Sequence, residues 1–350
     1  MRPRSVMLAA ALGAAACSDA LEQGTTAGQV IVVINTVSNS LSLVDATSFR
    51  AGPVVDLAPP TGTPATLDAR GAVIAIALGD ADAVRVVSSG TLPPGAPSTI
   101  GLPVGSGATG VAIENDSIVW VANPNLNSAT AVNYITGDTV TWATGTYPQA
   151  IVVTDLYVFV VNGNLTGGQP AGPSSLRWFT RSDPSPIRAY GTIALSCPNA
   201  RFAAVGRDGF LYVVCAGTVG ARDGKLSIVD PVALREVAVL NGLGESPGAA
   251  VYHPSGRLLI ASATEGILEI NTLTRAVTRG PGAGFKPGGA GIAALALDPR
   301  GRVYAVAAGG CATPGTVHVL SGPPDYRPLT TVAVGVCPAA AALAAAPFIP

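Results

Sequence analysis

A strand–turn–strand pattern recurs along almost the whole chain, and few folds can accommodate it. Seven short apolar runs stand out: Val30–Ile34, Val73–Ala77, Ile118–Ala122, Tyr157–Val161, Leu211–Cys215, Leu258–Ala261 and Val303–Ala307. Each is too short for a helix and ends at turn-forming or small residues, the mark of a buried strand. Ahead of most lies a second apolar strand and a tight turn, such as Asp68-Ala69-Arg70-Gly71, Gly206-Arg207-Asp208-Gly209 or Asp298-Pro299-Arg300-Gly301. Glycine and Asn/Asp tolerate the positive φ that hairpins need. A third strand follows (Ser40–Val44, Lys225–Val229, Gly266–Ile270), and a fourth returns (Val54–Leu57, Glu236–Leu240, Ala276–Arg279). Glycine and proline together number 71, and charged residues make up 12%. No internal stretch is apolar for 18 residues, so the positive hydropathy reflects short strands and not a membrane helix.

Proline marks the start of each unit. Pro148, Pro198 and Pro247 lie 50 and 49 residues apart, while Pro64 precedes Pro148 by 84 and Pro338 follows Pro247 by 91. The longer gaps each span two units of about 40–45 residues, the period of four-stranded propeller blades. The first unit lacks an inner strand, and the chain ends on an inner strand, Cys337-Pro338-AAAALAAA, with nothing behind it. The expected fold is an all-β, seven-bladed propeller of four-stranded antiparallel blades, with the C-terminal strand completing the first blade. Closure removes the two sheet edges that an open array would expose.

Strand ends such as Val32-Val33-Ile34-Asn35, Val119-Trp120-Val121-Ala122-Asn123 and Val160-Val161-Asn162 precede Ser/Thr-rich strands of the type Ser-Leu-Ser-Leu-Val-Asp. In this the chain resembles the YVTN-type seven-bladed β-propellers, common as exported bacterial proteins. The resemblance covers roughly residues 29–346, with departures at the insertion Gly163–Pro173 and a proline-rich outer loop in blade 2. It implies a fold more than an activity, because the propeller hosts many functions.

The N-terminus carries an address. Arg2 and Arg4 precede an apolar run, Val6 to Ala16, that is too short to span a bilayer. Ala14-Ala15-Ala16-Cys17 resembles a bacterial lipobox, although Ala14 stands where leucine is usual. Residues 1–16 are then the signal peptide, Cys17 the lipid-attachment site, 17–28 a lipidated, flexible tether and 29–350 the propeller. Ser18, in place of the aspartate that favours inner-membrane retention, implies an outer-membrane anchor, periplasmic or surface-facing. After cleavage, 18 basic face 21 acidic residues. With no basic stripe, a nucleic-acid partner is not expected. Four cysteines remain, an even number suited to an oxidising compartment, and no CxxC occurs. Sequence alone allows three pairings. The propeller register puts Cys197 and Cys215 at the two ends of one hairpin of blade 5. It puts Cys311 in the matching loop of blade 7, with Cys337 leading into the closing strand. The expected bridges are therefore Cys197–Cys215 and Cys311–Cys337.

In a propeller, the loops leading into inner strands share a face with the loops between second and third strands. Asn35, Asp80, Asp82, Asn123, Asn162, Arg222, Asp223 and Glu265 are the candidate ligand-binding residues on that face, with Asn39, Asn125, Asn127, Asn164 and Glu245 beside them. No catalytic residue, metal or cofactor is assigned. His253 sits in a turn and His318 in a strand, no G-x-S-x-G elbow occurs, and the Gly-rich stretches lack the Lys-Ser/Thr of a phosphate loop. A carboxylate site such as Asp80 with Glu265 around Ca²⁺ is compatible with hard-cation chemistry. The expected function is a monomeric, non-catalytic envelope lipoprotein that binds a protein, peptide or glycan. The alternative is a lactonase-like propeller hydrolase or lyase with a carboxylate or metal site at the channel mouth.

Overall fold

Seven four-stranded antiparallel sheets form seven blades around a central channel. The computed structural model describes residues 28–57, 62–88, 98–181 and 189–345. Residues 1–27, including the signal, Cys17 and most of the tether, lie outside the described residues, as do 346–350. Named from inner to outer strand, blade 2 is Thr66–Arg70, Val73–Ala77, Ala83–Ser88 and Ser98–Gly101. Blade 3 is Val111–Ile113, Ile118–Asn123, Ser128–Asn133 and Thr139–Ala143. Blade 4 is Pro148–Val153, Tyr157–Asn162, Pro173–Thr180 and Tyr190–Pro198, with a small ribbon, Leu165–Thr166 against Gln169–Pro170, in the insertion. Blade 5 is Ala200–Val205, Leu211–Cys215, Lys225–Asp230 and Arg235–Asn241. Blade 6 is Ala250–His253, Arg257–Ser262, Gly266–Asn271 and Ala276–Arg279, and blade 7 is Ala294–Leu297, Val303–Ala307, Pro314–Leu320 and Pro328–Val336.

Blade 1 is assembled from both ends of the chain. Gln29–Asn35, Ser40–Asp45 and Val55–Asp56 supply three strands, and Pro338–Ala345 supplies the innermost. The closing strand pairs antiparallel along Gln29–Asn35, from Gln29 with Ala345 to Asn35 with Pro338. Each inner strand also touches the inner strands of the two neighbouring blades, so the ring is continuous.

The sequence dictates this packing through strand alternation. Side chains on a strand point to opposite faces in turn, and the second strand of every blade is sandwiched between blades. Val30, Val32 and Ile34 pack against Leu67, Ile74 and Ile76 of blade 2, while Ile31 and Val33 pack against Tyr304, Val306 and Val332 of blade 7. Each blade interface holds its own apolar cluster, which is why the second strands read as unbroken apolar runs.

Both disulfides are formed. Cys197 and Cys215 have Cα atoms 6.1 Å apart, and Cys311 and Cys337 4.2 Å. The position of Cys197 needs one correction. It lies in the outer strand of blade 4 and not in the blade 5 hairpin, because Pro198 ends that strand and the inner strand of blade 5 starts at Ala200. The first bridge therefore clips blade 4 to blade 5. The second ties the blade 7 loop to the residue just before the closing strand.

Candidate functional site

The upper face gathers the loops between second and third strands and those that lead into the inner strands. Asn35, Asn123 and Asn162 end the second strands of blades 1, 3 and 4, where they lie beneath the rim and are essentially fully buried. Their amides clamp the third strand of the same blade. Asn35 Nδ2 donates to Ser42 Oγ at 2.9 Å, Asn123 Nδ2 to Thr130 Oγ1 at 2.8 Å and Asn162 Nδ2 to Ser175 Oγ at 3.3 Å. The side-chain carbonyl of Asn162 accepts the Gly145 amide, whereas Asn35 Oδ1 and Asn123 Oδ1 have no hydrogen-bond partner among the described residues. Three of the candidate residues are thus parts of the hairpins and are not on the surface.

The charged candidates reach the rim. Asp80 accepts the Thr63 amide at 2.7 Å. Asp82 accepts the amides of Gly105 and Gly107 and the hydroxyl of Ser106, tying the blade 2 hairpin to the loop that leads into blade 3. Loss of solvent opposes the charge on Asp82, but these donors outweigh it and hold the pKa below the usual carboxylate range. Asp223 accepts from the backbone and hydroxyl of Thr218. Arg222 pairs with Glu265 at 2.9 Å, joining blade 5 to blade 6. Glu265 also accepts the Gly282 amide, the main reason its pKa is lowered, with Arg222 and Lys286 adding to the effect. Asp80 and Glu265, considered together as a Ca²⁺ pair, stand on blades 2 and 6 with separate partners.

Below the rim, the channel encloses about 490 Å³ and is walled by the inner strands. Its wall is built largely from alanine, including Ala69, Ala112, Ala150, Ala203, Ala250 and Ala340, with Phe202 the one aromatic ring among the described residues. Small side chains are required where seven strands converge. Polar groups in the wall are spent on joining neighbouring strands. Asp68 of blade 2 accepts the Ile113 amide of blade 3 at 2.8 Å and the Ala69 amide at 2.9 Å. Burial nevertheless pushes its pKa up. Gln149 of blade 4 donates to Asn199 Oδ1 and to the carbonyl of Ala200 beside blade 5.

One channel-mouth residue was not anticipated from the sequence. The register of the first hairpin of blade 5 shifts between Ala200 and Phe202, leaving Arg201 as the extra residue of a β-bulge. Its guanidinium carbon lies 5.3 Å from the centroid of Phe202, a channel-lining ring. The side chain is solvent-exposed, yet loss of solvent lowers its pKa, with Tyr147 opposing the shift. The available signal was Pro198-Asn199-Ala200-Arg201, a charge at a unit start where Pro247 and Pro338 are followed by glycine and alanine.

The histidines do not converge. His253, 7% exposed, ends the inner strand of blade 6 and bonds Gly301 O and Ser255 Oγ. His318 lies in the third strand of blade 7, its pKa lowered by burial. Among the described residues, no group of three or more His, Cys, Asp or Glu side chains is arranged to hold a metal.

Solved structures share the architecture at low sequence identity. Hydrazine synthase of Kuenenia stuttgartiensis aligns with a TM-score of 0.64 at 14% identity, over 81% of this chain and 90% of that one. A functionally unknown protein from Desulfotomaculum acetoxidans DSM 771 aligns with a TM-score of 0.67 at 11% identity, over 90% and 98%. Virginiamycin B lyase from Staphylococcus aureus gives 0.57 at 12% identity, over 79% and 85%. Such distant likeness establishes the fold alone. No protein-family model and no curated protein sequence matches the chain.

Proposed function

We propose that the chain is an exported, YVTN-type lipoprotein, anchored to the outer membrane through Cys17, whose propeller binds a protein, peptide or glycan on its upper face. The observation that supports export most directly is the pair of disulfides: all four cysteines left after Cys17 are bridged, the state an oxidising compartment maintains. In this reading the signal runs over residues 1–16, and residues 17–28 tether a monomeric propeller to the bilayer. The rim offers Asp80, Asp82, Arg222, Asp223 and Glu265 on loops held by a rigid ring, the usual way a scaffold presents binding groups. A non-catalytic role fits carboxylates that are spread around the ring and already engaged by their own loops.

Two measurements test this. The full chain, expressed in a bacterium with an outer membrane and labelled with a radioactive fatty acid, should carry label and sediment with outer membranes. Cys17→Ser should abolish both. Glycan and peptide arrays probed with the purified propeller should show saturable binding that Arg222→Ala combined with Asp223→Ala weakens. Unlabelled, cytosolic protein would reject the export reading, and array binding indifferent to the rim substitutions would reject the site.

A further inference from the structure

We propose that the channel mouth is a small-molecule site for an apolar monocarboxylate, its anionic head on Arg201 and its hydrocarbon body among the alanines of the inner strands. The proposal uses none of the rim residues assigned above and stands or falls independently of export.

Three observations converge on it. The first is the cavity itself. At about 490 Å³ with an alanine wall, it falls within the roughly 300–1,000 Å³ typical of small-molecule sites, which are mostly apolar with a few placed polar groups. The second is how the wall's polar groups are used. Asp68, Arg70, Gln149 and Thr66 are committed to the neighbouring blade: Asp68 to Ile113, Arg70 to the carbonyl of Glu114, Gln149 to Ala200 and Thr66 to the carbonyl of Thr109. They offer an incoming ligand little competition or repulsion.

The third is Arg201. Among the described residues no carboxylate pairs with it; its contacts are the face of Phe202 and the nearby phenol of Tyr147. The guanidinium is exposed, so its donors are open to an anionic partner arriving from solvent. The bulge that carries it also explains its aim. Residues before and after it in the strand alternate between blade interfaces: Ala200 packs towards blade 4 and Phe202 towards blade 6. The extra residue belongs to neither interface and is left to the opening. Corresponding shifts in blades 1 and 4 set Ala339 and Gln149 at the same level of the channel. Of the three bulge residues at this level Arg201 is the one cation, while the charged residues of the wall, Asp68 and Arg70, lie further along the inner strand of blade 2 and bond to blade 3. That favours one negative charge per ligand and excludes a cationic head. A guanidinium recognises a carboxylate through parallel N–H···O bonds, a geometry an alcohol cannot reproduce.

Isothermal titration of the purified propeller with decanoate and decyltrimethylammonium below their micelle concentrations, and with decanol below its solubility limit, tests the assignment. Decanoate should bind saturably, at least about tenfold tighter than decanol, the scale of one charge-assisted interaction. The ammonium should bind more weakly than the alcohol. Arg201→Gln should reduce decanoate to the level of decanol and leave decanol unchanged. Ala249→Leu and Ala339→Leu, which narrow the channel, should weaken both. Circular dichroism and thermal melting establish that each variant is folded. Folded wild-type protein that does not bind decanoate, decanoate no tighter than decanol, or affinity unchanged in Arg201→Gln would each overturn the proposal.

Discussion

Breaking the bridge between Cys311 and Cys337 should loosen the seam of the ring selectively. The two cysteines are 26 residues apart in sequence. In the chain-entropy account, closing a loop of that size removes about 3.5 kcal/mol of conformational freedom from the unfolded state at 25 °C. Unfolding entropy of about 2.1 cal/mol/K per residue over 350 residues converts this to a melting point roughly 5 °C lower for Cys311→Ser/Cys337→Ser. The Cys197–Cys215 bridge closes 18 residues, and the same arithmetic gives about 3.2 kcal/mol, so global stability hardly distinguishes the two. Local stability does. Cys337 immediately precedes Pro338–Ala345, the strand that completes blade 1, and its carbonyl accepts both the amide and the hydroxyl of Thr36. Hydrogen-exchange mass spectrometry should show faster exchange along Gln29–Asn35 and Pro338–Ala345 in the Cys311/Cys337 variant. In Cys197→Ser/Cys215→Ser, the faster exchange should fall on Tyr190–Pro198 and Leu211–Cys215. Equal exchange at the closing strand in both variants, or recovery of a Cys197–Cys311 peptide from the unreduced protein, would refute the reasoning.

Three further perturbations are informative. Arg85, in the third strand of blade 2, is 1% exposed, donates to Thr99 Oγ1 at 3.1 Å and leaves Nη1 without a partner among the described residues. Arg85→Met should leave stability unchanged or raise it by about 1–3 kcal/mol in urea denaturation, and a loss would contradict the cost assigned to the unmatched group. Gly315 has no room for a side chain, since a Cβ there would lie 2.4 Å from Pro338 Cγ and 2.7 Å from the Ala307 carbonyl. Gly315→Ala should cost about 1–3 kcal/mol, with faster exchange at the closing strand; an unchanged melting curve would show that the seam can yield. Burial opposes the charge on Glu269, yet the Tyr326 and Thr278 hydroxyls and Arg257 outweigh it and lower the pKa. Its contribution is therefore complete above the unfolded value of about 4.3 and is lost as the pH falls through the lower folded value. Denaturation midpoints between pH 3 and 7 should show a flatter acid limb for Glu269→Gln, and parallel curves would count against it.

The fold was legible because the second strand of each blade is covered on both sides. Such strands have no polar face and announce themselves, as Val73–Ala77 and Val303–Ala307 do to the residue. Outer strands are read less well. The expected Val54–Leu57 shortens to Val55–Asp56, since an edge strand is held on one side only. The rim was harder for a different reason. Asparagine at a strand end looks like a binding group, but its partner was already in the sequence: the serines of Ser-Leu-Ser-Leu, two of which face Asn35. The motif that suggested a family resemblance is thus a hairpin clamp. Arg201 is not legible in the sequence because a bulge is a property of two paired strands and cannot be read from either alone.

Much of the polar content is architecture, and this helps to separate function from fold. On the lower face, Trp120, Tyr212 and Tyr304 occupy equivalent places in second strands, and each donates to an acid in the preceding turn, Glu114, Asp208 and Asp298. On the upper face, Asn35, Asn123 and Asn162 repeat another device. A residue that recurs in equivalent blades with the same partner is explained by folding. Arg201 has no such recurrence: the bulges of blades 1 and 4 manage with Ala339 and Gln149. Its position needs no charge to form, so Arg201→Gln should melt within about 0.5 kcal/mol of the wild type, as surface substitutions do. A guanidinium that the ring does not need, set against the channel-lining ring of Phe202, is then best accounted for by what enters the channel.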